Sequence, residues 1–310
     1  MMKNISSAII SLFIYLFTVT KTYAHEVYVL TPERFSDGLK TYTQNPFSTL
    51  FTKQHISITI LIFVSLVSFY ALSYVLLKTK WGYFFSHHVE KLARFGKPIL
   101  RLSLGISLIF SAFSHSLFGP ELSIAKYSLA PFIEIALYLS GFMFIFGFFI
   151  QIAAPLALSL FLYAFFTFGF YTITYIGYAG VILFFMLDKK KFNTQILLRI
   201  LLGIGLLYTA YTIKIQHQHL FTDVYNQYRL QQFFQLDSIF ASSIAGVLEL
   251  GVGLFVIFGF TLIPTLFILL LFLTFFLFYL GENLWPHIII YGISIYLFLN
   301  QFSSKKRIAK

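Results

Sequence analysis

The chain has 310 residues, of which 58% are apolar, 20% aromatic and only 11% charged, too little polar surface for a water-soluble globule. It contains no cysteine, which excludes disulfides, thiolate metal sites, cysteine-held iron–sulfur clusters and covalently attached c-type haem. The formal charge of +11 suits either nucleic acid or a membrane surface, and the placement of the basic residues decides between them.

Residues 1–24 read as a signal peptide. Lys3 lies in a short polar start, residues 8–19 form an apolar core, and Thr22, Tyr23 and Ala24 make a small-residue exit. The apolar core is shorter than the roughly 20 residues a span needs. Cleavage after Ala24 makes His25 the mature N-terminus, the alternative being an uncleaved anchor. Residues 25–55 are polar and turn-rich, with Pro32, Gly38 and Pro46, and read as an extracytoplasmic lead-in segment.

Apolar runs follow at 56–77, 98–117, 129–150, 152–172, 174–187, 196–213, 239–260, 262–280 and 284–300. Helix is the expected state for each, because a backbone in hydrocarbon must satisfy its own hydrogen bonds and the runs lack the alternation of a barrel strand. The stretches 129–172 and 239–280 are nearly continuous, and each is expected to divide near its proline, Pro155 or Pro264.

Nine crossings that start outside place residues 78–101, 188–199 and 301–310 in the cytoplasm. Those stretches hold fourteen Lys and Arg against Glu90 and Asp188, whereas the outer segments carry six basic and seven acidic residues. This is the positive-inside pattern of an inner-membrane protein. It absorbs the basic excess, leaves no support for a nucleic-acid partner, and points to the lipid bilayer with its anionic inner leaflet.

The chain also resembles itself. Residues 101–112 (RLSLGISLIFSA) match 199–210 (RILLGIGLLYTA) at an offset of 98, while Gly141, Gly147 and Gly180 match Gly253, Gly259 and Gly292 at an offset of 112. The 14-residue difference is an insertion near 214–238. Each unit, 96–190 and 194–302, covers four runs, so both copies take the same orientation. The fold class is therefore read as an all-α integral membrane protein: signal peptide, one leading transmembrane helix with its basic loop (56–95), two parallel four-helix repeats, and a basic tail (303–310).

The Arg-x-x-x-Gly of the first span in each unit (Arg101–Gly105, Arg199–Gly203), the Gly-x-x-x-x-x-Gly of the second (Gly141–Gly147, Gly253–Gly259) and two further spans resemble the DoxX family of small four-helix membrane proteins. The resemblance implies a four-helix membrane fold. It also implies a link to membrane redox assemblies, since family members include thiosulfate:quinone oxidoreductase subunits.

Ionisable residues inside spans are costly and mark candidate sites. Glu249 lies mid-span, with Gly246, Gly251 and Gly253 leaving room around it, and reads either as a proton carrier or as a structural partner, for instance of Arg199. Glu134 occupies the corresponding helix of the first unit, one turn nearer the outside, and the glycine alignment pairs Glu249 with Leu137 instead. His217, His219, Glu282, His287 and a free amino-terminal His25 fall at or near the outer face and are candidate ligands for a transition metal. His115 beside Glu134 is a further pairing. Three functions are expected to compete: a membrane subunit of a quinone- or metal-linked redox assembly working with an extracytoplasmic or membrane partner protein, a transporter or metal-uptake protein, and a noncatalytic scaffold.

Overall fold

Long apolar runs satisfy their backbone polar groups only by coiling, and all nine runs are helical in the computed structural model. The structure describes residues 40, 51–53, 55–76, 78–79, 87–187, 193–259, 262–280 and 284–308. The expected signal peptide, nearly all of the lead-in segment and the last residues of the tail lie outside these. Among the described residues there is no strand, only an isolated bridge between Ser116 and Ser123. Five helical stretches are long and apolar enough to cross a membrane, Ile56–Val75, His87–Phe113, Ile150–Leu187, Thr194–Gln216 and Ser238–Phe258. The protein is an all-α membrane protein.

In chain order the helices are α1 (Ile56–Leu76), α2 (Gly96–Phe113), α3 (Ala130–Phe146), α4 (Ile150–Phe168), α5 (Ile176–Leu187), α6 (Thr194–Thr209), α7 (Gln218–Gln227), α8 (Leu230–Phe234), α9 (Ser238–Phe258), α10 (Leu262–Leu280) and α11 (Leu284–Ile308). The stretch 150–187 is helical throughout, yet it reverses at Gly169 (φ 68°), where Thr172 Oγ1 reaches back to the Ala164 carbonyl at 3.2 Å. α4 and α5 therefore pack side by side.

The divisions expected at Pro155 and Pro264 fall earlier. α3 ends at Gly147 and α9 at Gly259, both in the left-handed region (φ 78° and 70°), where a residue without Cβ caps the helix at no steric cost. The two prolines lie inside the helices that follow.

α2 packs along α3 and α11, and α6 packs along α9 and α5. The last helix of each half thus lies on the first helix of the other half, which closes the bundle into a ring. Three contacts occur twice in this ring. Gly105 and Gly141 bring α2 and α3 so close that a Cβ on either would sit 2.7–2.8 Å from the other's carbonyl oxygen, and Gly203 and Gly253 do the same for α6 and α9 at 2.7–3.1 Å. Gly292 on α11 abuts Ser103 of α2, as Gly180 on α5 abuts Leu201 of α6. The guanidinium of Arg101 lies against Gly147, as that of Arg199 lies against Gly259. Helices in lipid gain little from the hydrophobic effect, so close backbone approach of this kind carries much of their association.

The arginines have an electrostatic role as well. Arg199 Nη2 donates to the Ile257 carbonyl at 3.0 Å, placing positive charge on the exposed carbonyls at the C-terminus of α9. Between the halves one apolar core runs through Leu104, Leu108, Tyr178, Val181, Leu202 and Ile293, all 3% exposed or less.

α1 lies at the edge, against the second half. Its side of the contact is Ile58 and Ile62 on Phe240 and Ile244, and lower down Tyr70 meets Phe255 and hydrogen-bonds Thr265 at 3.1 Å. Just before α1, His55 stacks on Phe240 and its Nε2 lies 3.0 Å from Asp237 Oδ2. Asp237 at the same time caps α9, its Oδ1 accepting from the Phe240 N–H at 2.9 Å.

Candidate functional site

α6 does not end as an α-helix. Residues Ala210–Gln216 continue it as a π-helical turn, in which the His217 N–H bonds to the Thr212 carbonyl five residues back at 3.0 Å. Such turns insert one extra residue and re-aim side chains. This one is held against α9 by small residues. A Cβ on Gly246 would lie 2.8 Å from Ile215, and Ser242 Oγ donates to the Lys214 carbonyl at 2.8 Å.

Lys214 sits in this turn and meets Glu249. Side chains of a helix lean toward its N-terminus, so on antiparallel helices Lys214 of α6 and Glu249 of α9 lean toward each other. The ammonium Nζ lies 2.9 Å from Oε1 and 3.0 Å from Oε2, gripping both oxygens, with the Phe221 ring 6.0 Å away on its other side. Arg199, the partner considered from sequence, is at the opposite end of α9 on the Ile257 carbonyl.

The two members of the pair are unequally covered, and this shapes what the site can do. The Lys214 side chain is 9% exposed and that of Glu249 35%. Yet Glu249 shares its helix face with Gly246 and Gly253, which touch the π-turn and α6, and with Val256, which is fully buried in the core. Glu249 therefore stands on a face that packs toward α6 while its carboxylate side chain stays 35% exposed. The site thus offers an ammonium donor and a carboxylate acceptor side by side in a low-dielectric bundle.

Polar groups continue from the pair toward the loops. Gln218 Nε2 bonds both the Ile239 carbonyl (2.8 Å) and Ser243 Oγ (2.7 Å). His217 is buried, and its ring stands perpendicular to that of His219 at 6.2 Å between centroids. The Nε2 of His219 is buried and makes no hydrogen bond. His287 is buried in the first turn of α11. Among the described residues no three His, Asp or Glu side chains come together in a way that could hold a metal ion. Glu282 and His25 lie outside the described residues. Glu134 is engaged elsewhere: its Oε1 lies 2.7 Å from Nδ1 of His115, a residue that is itself mostly exposed.

In the first half the positions of Lys214 and Glu249 fall, by the two offsets, on Ser116 and Leu137. Both are fully buried, and the Ser116 N–H closes a five-residue turn onto the Ser111 carbonyl at 3.0 Å. The two chain exits are alike, and only one carries charge.

The sequence reading singled out Glu249 but missed Lys214, whose signal was a lysine directly after the apolar run 196–213. It also missed a polar cluster in the first half. There, the loop 114–124 folds inward so that Phe118 packs on Phe161 and Tyr178, and Glu121 accepts a hydrogen bond from the Tyr175 hydroxyl.

Comparison with known protein families, with curated proteins and with solved structures finds no match.

Proposed function

We propose that the protein is an inner-membrane subunit of a quinone-linked redox assembly, built from two tandem DoxX-like four-helix repeats, with its loop end facing the extracytoplasmic side. The observation that carries this reading is the Lys214–Glu249 pair, an ammonium gripping both oxygens of a carboxylate between apolar helices. The three duplicated contacts, Gly105/Gly141 with Gly203/Gly253, Arg101/Gly147 with Arg199/Gly259 and Ser103/Gly292 with Leu201/Gly180, support the repeat. The cytoplasmic placement of residues 78–101 and 301–310 rests on their basic charge.

The residues at the pair fit a quinone headgroup. Lys214 Nζ is a donor suited to a ring carbonyl oxygen, and Glu249 is an acceptor suited to a ring hydroxyl. A bound quinone supplies two-electron chemistry coupled to protons. The chain's own part is to orient the ring through Lys214, to hold or receive a proton at a Glu249 oxygen, and to pass it outward along the polar segment that begins at His217. The metal-linked form of the reading would draw on His217, His219 and His287 together with Glu282 and His25, which lie outside the described residues.

The test is direct. The full chain, purified in mild detergent, is expected to bind a short-chain ubiquinone analogue measurably by isothermal titration calorimetry, with Glu249→Gln and Lys214→Met each weakening it by about tenfold, the worth of one charge-assisted hydrogen bond. No binding, or binding indifferent to both substitutions, removes the reading.

A second reading, a transporter, is favoured by the π-turn, since breaks in helical regularity line substrate sites in membrane transporters. Proteoliposome uptake that is abolished by Glu249→Gln, without bound quinone, would replace the first reading with this one.

A further inference from the structure

The two duplicated arginines are engaged differently. Arg199 donates through Nη2 to the Ile257 carbonyl, whereas Arg101 closes no hydrogen bond or ion pair among the described residues. Both leave Nε buried without a partner. The Arg101 guanidinium lies against Gly147, the left-handed residue in the turn between α3 and α4. These helices have 17 and 19 residues, about 26 and 29 Å at roughly 1.5 Å per residue, close to the hydrocarbon thickness of about 30 Å. The turn that joins them, and the guanidinium on it, therefore stand where acyl chains give way to headgroups.

Positive charge gathers at this end of the first half. Lys97 precedes Arg101 by one turn on the same side of α2, and Lys91 and Arg94 come just before, against the single acid Glu90 in residues 87–101. Lys91, Arg94 and Lys97 are all exposed. By the offset of 98, Arg94 and Lys97 fall on Phe192 and Gln195, so this charge is not repeated in the second half.

An apolar surface begins at the same turn. Phe146 and Phe148 flank Gly147, and their rings lie nearly parallel, 5.8 Å apart at 12°. Phe142 extends the stack one helical turn along α3, 6.4 Å from Phe146 at 15°. The three rings are 47–65% exposed, which leaves the stack open to the acyl region. The position of Phe142 is Leu254 in the second half.

A phosphodiester supplies what Arg101 lacks, because two of its oxygens accept from the guanidinium fork. The surrounding basic residues favour a headgroup with net negative charge over a zwitterionic one, which would bring its own ammonium into a positive patch. We propose that Arg101, reinforced by the charge of Lys97, binds the phosphate of one anionic phospholipid, with an acyl chain laid along Phe142, Phe146 and Phe148. The site rests on the membrane class of the chain and makes no use of the Lys214–Glu249 pair.

The experiment titrates the full chain, purified in mild detergent, with phosphatidylglycerol or phosphatidylcholine and counts bound lipid by native mass spectrometry. The first phosphatidylglycerol is expected to bind about tenfold more tightly than phosphatidylcholine, the worth of one charge-assisted hydrogen bond. Arg101→Gln should remove that preference, and Arg199→Gln should keep it. Phe146→Ala, at an exposed position outside the packed core, should weaken both lipids severalfold and keep the preference. Equal binding of the two lipids by the unaltered chain overturns the proposal. So do equal losses in the two arginine variants, which would make the attraction a property of basic ends in general, and lipid binding unchanged in Phe146→Ala. Displacement of phosphatidylglycerol by millimolar inorganic phosphate also overturns it and makes a free anion the occupant.

Discussion

The two halves of the molecule use the same packing contacts and fill their interiors differently. Each crosses its first two helices at a glycine pair and seats an arginine on the C-terminus of the second. In the first half the loop after α2 turns inward and Phe118 fills the bundle. In the second, a longer connection forms α7 and α8, with Leu220, Val224, Tyr225 and Leu230 buried, and Lys214 and Glu249 form a charged pair at the corresponding place. A scaffold held by backbone contacts tolerates such divergence, because glycine crossings fix helix positions whatever fills the remaining interior.

The sharpest way to break this comparison is to make the second half resemble the first. Lys214→Met alone or Glu249→Leu alone leaves one charge within the bundle and is expected to cost about 3 kcal/mol, the lower end of the range for a broken buried pair because Glu249 keeps some access. The double substitution should recover most of that loss, since Leu137 already occupies the corresponding place in the first half. Denaturant unfolding in detergent measures all three, and losses that simply add would show that the charges are not coupled.

Gly105→Leu and Gly203→Leu probe what the halves share. Each drives a side chain into a facing carbonyl only 2.7 Å from the Cβ position, for an expected loss of about 1–3 kcal/mol. Similar losses in melting experiments sharpen the equivalence, whereas a neutral substitution in either half breaks it.

Asp237 tests a feature of the second half alone, because one oxygen caps α9 and the other meets His55. Asp237→Ala is expected to cost about 1 kcal/mol, the worth of an N-cap, while Asp237→Asn keeps the cap and costs less. Arg101→Gln and Arg199→Gln should each cost about 0.3–1 kcal/mol through the helix C-terminus. Unequal values for the two arginines would distinguish the halves.

The smallest effect concerns the cap over the second half. Burial, and then the charge of Asp237, push the Tyr225 hydroxyl above its ordinary value, and the neutral hydroxyl donates to the Leu236 carbonyl at 2.9 Å. A folded-state value raised above the unfolded one gives stability that is complete below about pH 10 and is lost as pH climbs through the folded value. Tyr225→Phe should flatten that alkaline loss in a pH series of melting curves.

Much of the fold was legible because helix in a membrane is a property of consecutive residues. The apolar runs coincide with the helices to within a few residues, and of the aligned glycines Gly105 meets Gly141 and Gly203 meets Gly253. The helix breaks were misplaced at Pro155 and Pro264 because a glycine in the left-handed region ends a helix at no steric cost, and each proline then falls inside the following helix. The sites were less legible. Glu121 and Tyr175 are 54 positions apart, and only the inward fold of the loop brings them together.

By itself the amino-acid sequence determined the membrane class, the helices and the pairs of glycines able to touch, since hydrophobicity and side-chain size are local properties. Only the tertiary structure decided that the last helix of each half packs on the first helix of the other, and that Lys214 rather than Arg199 meets Glu249. Residues 35 positions apart become partners only when a π-turn re-aims one side chain and antiparallel helices lean both toward the same depth.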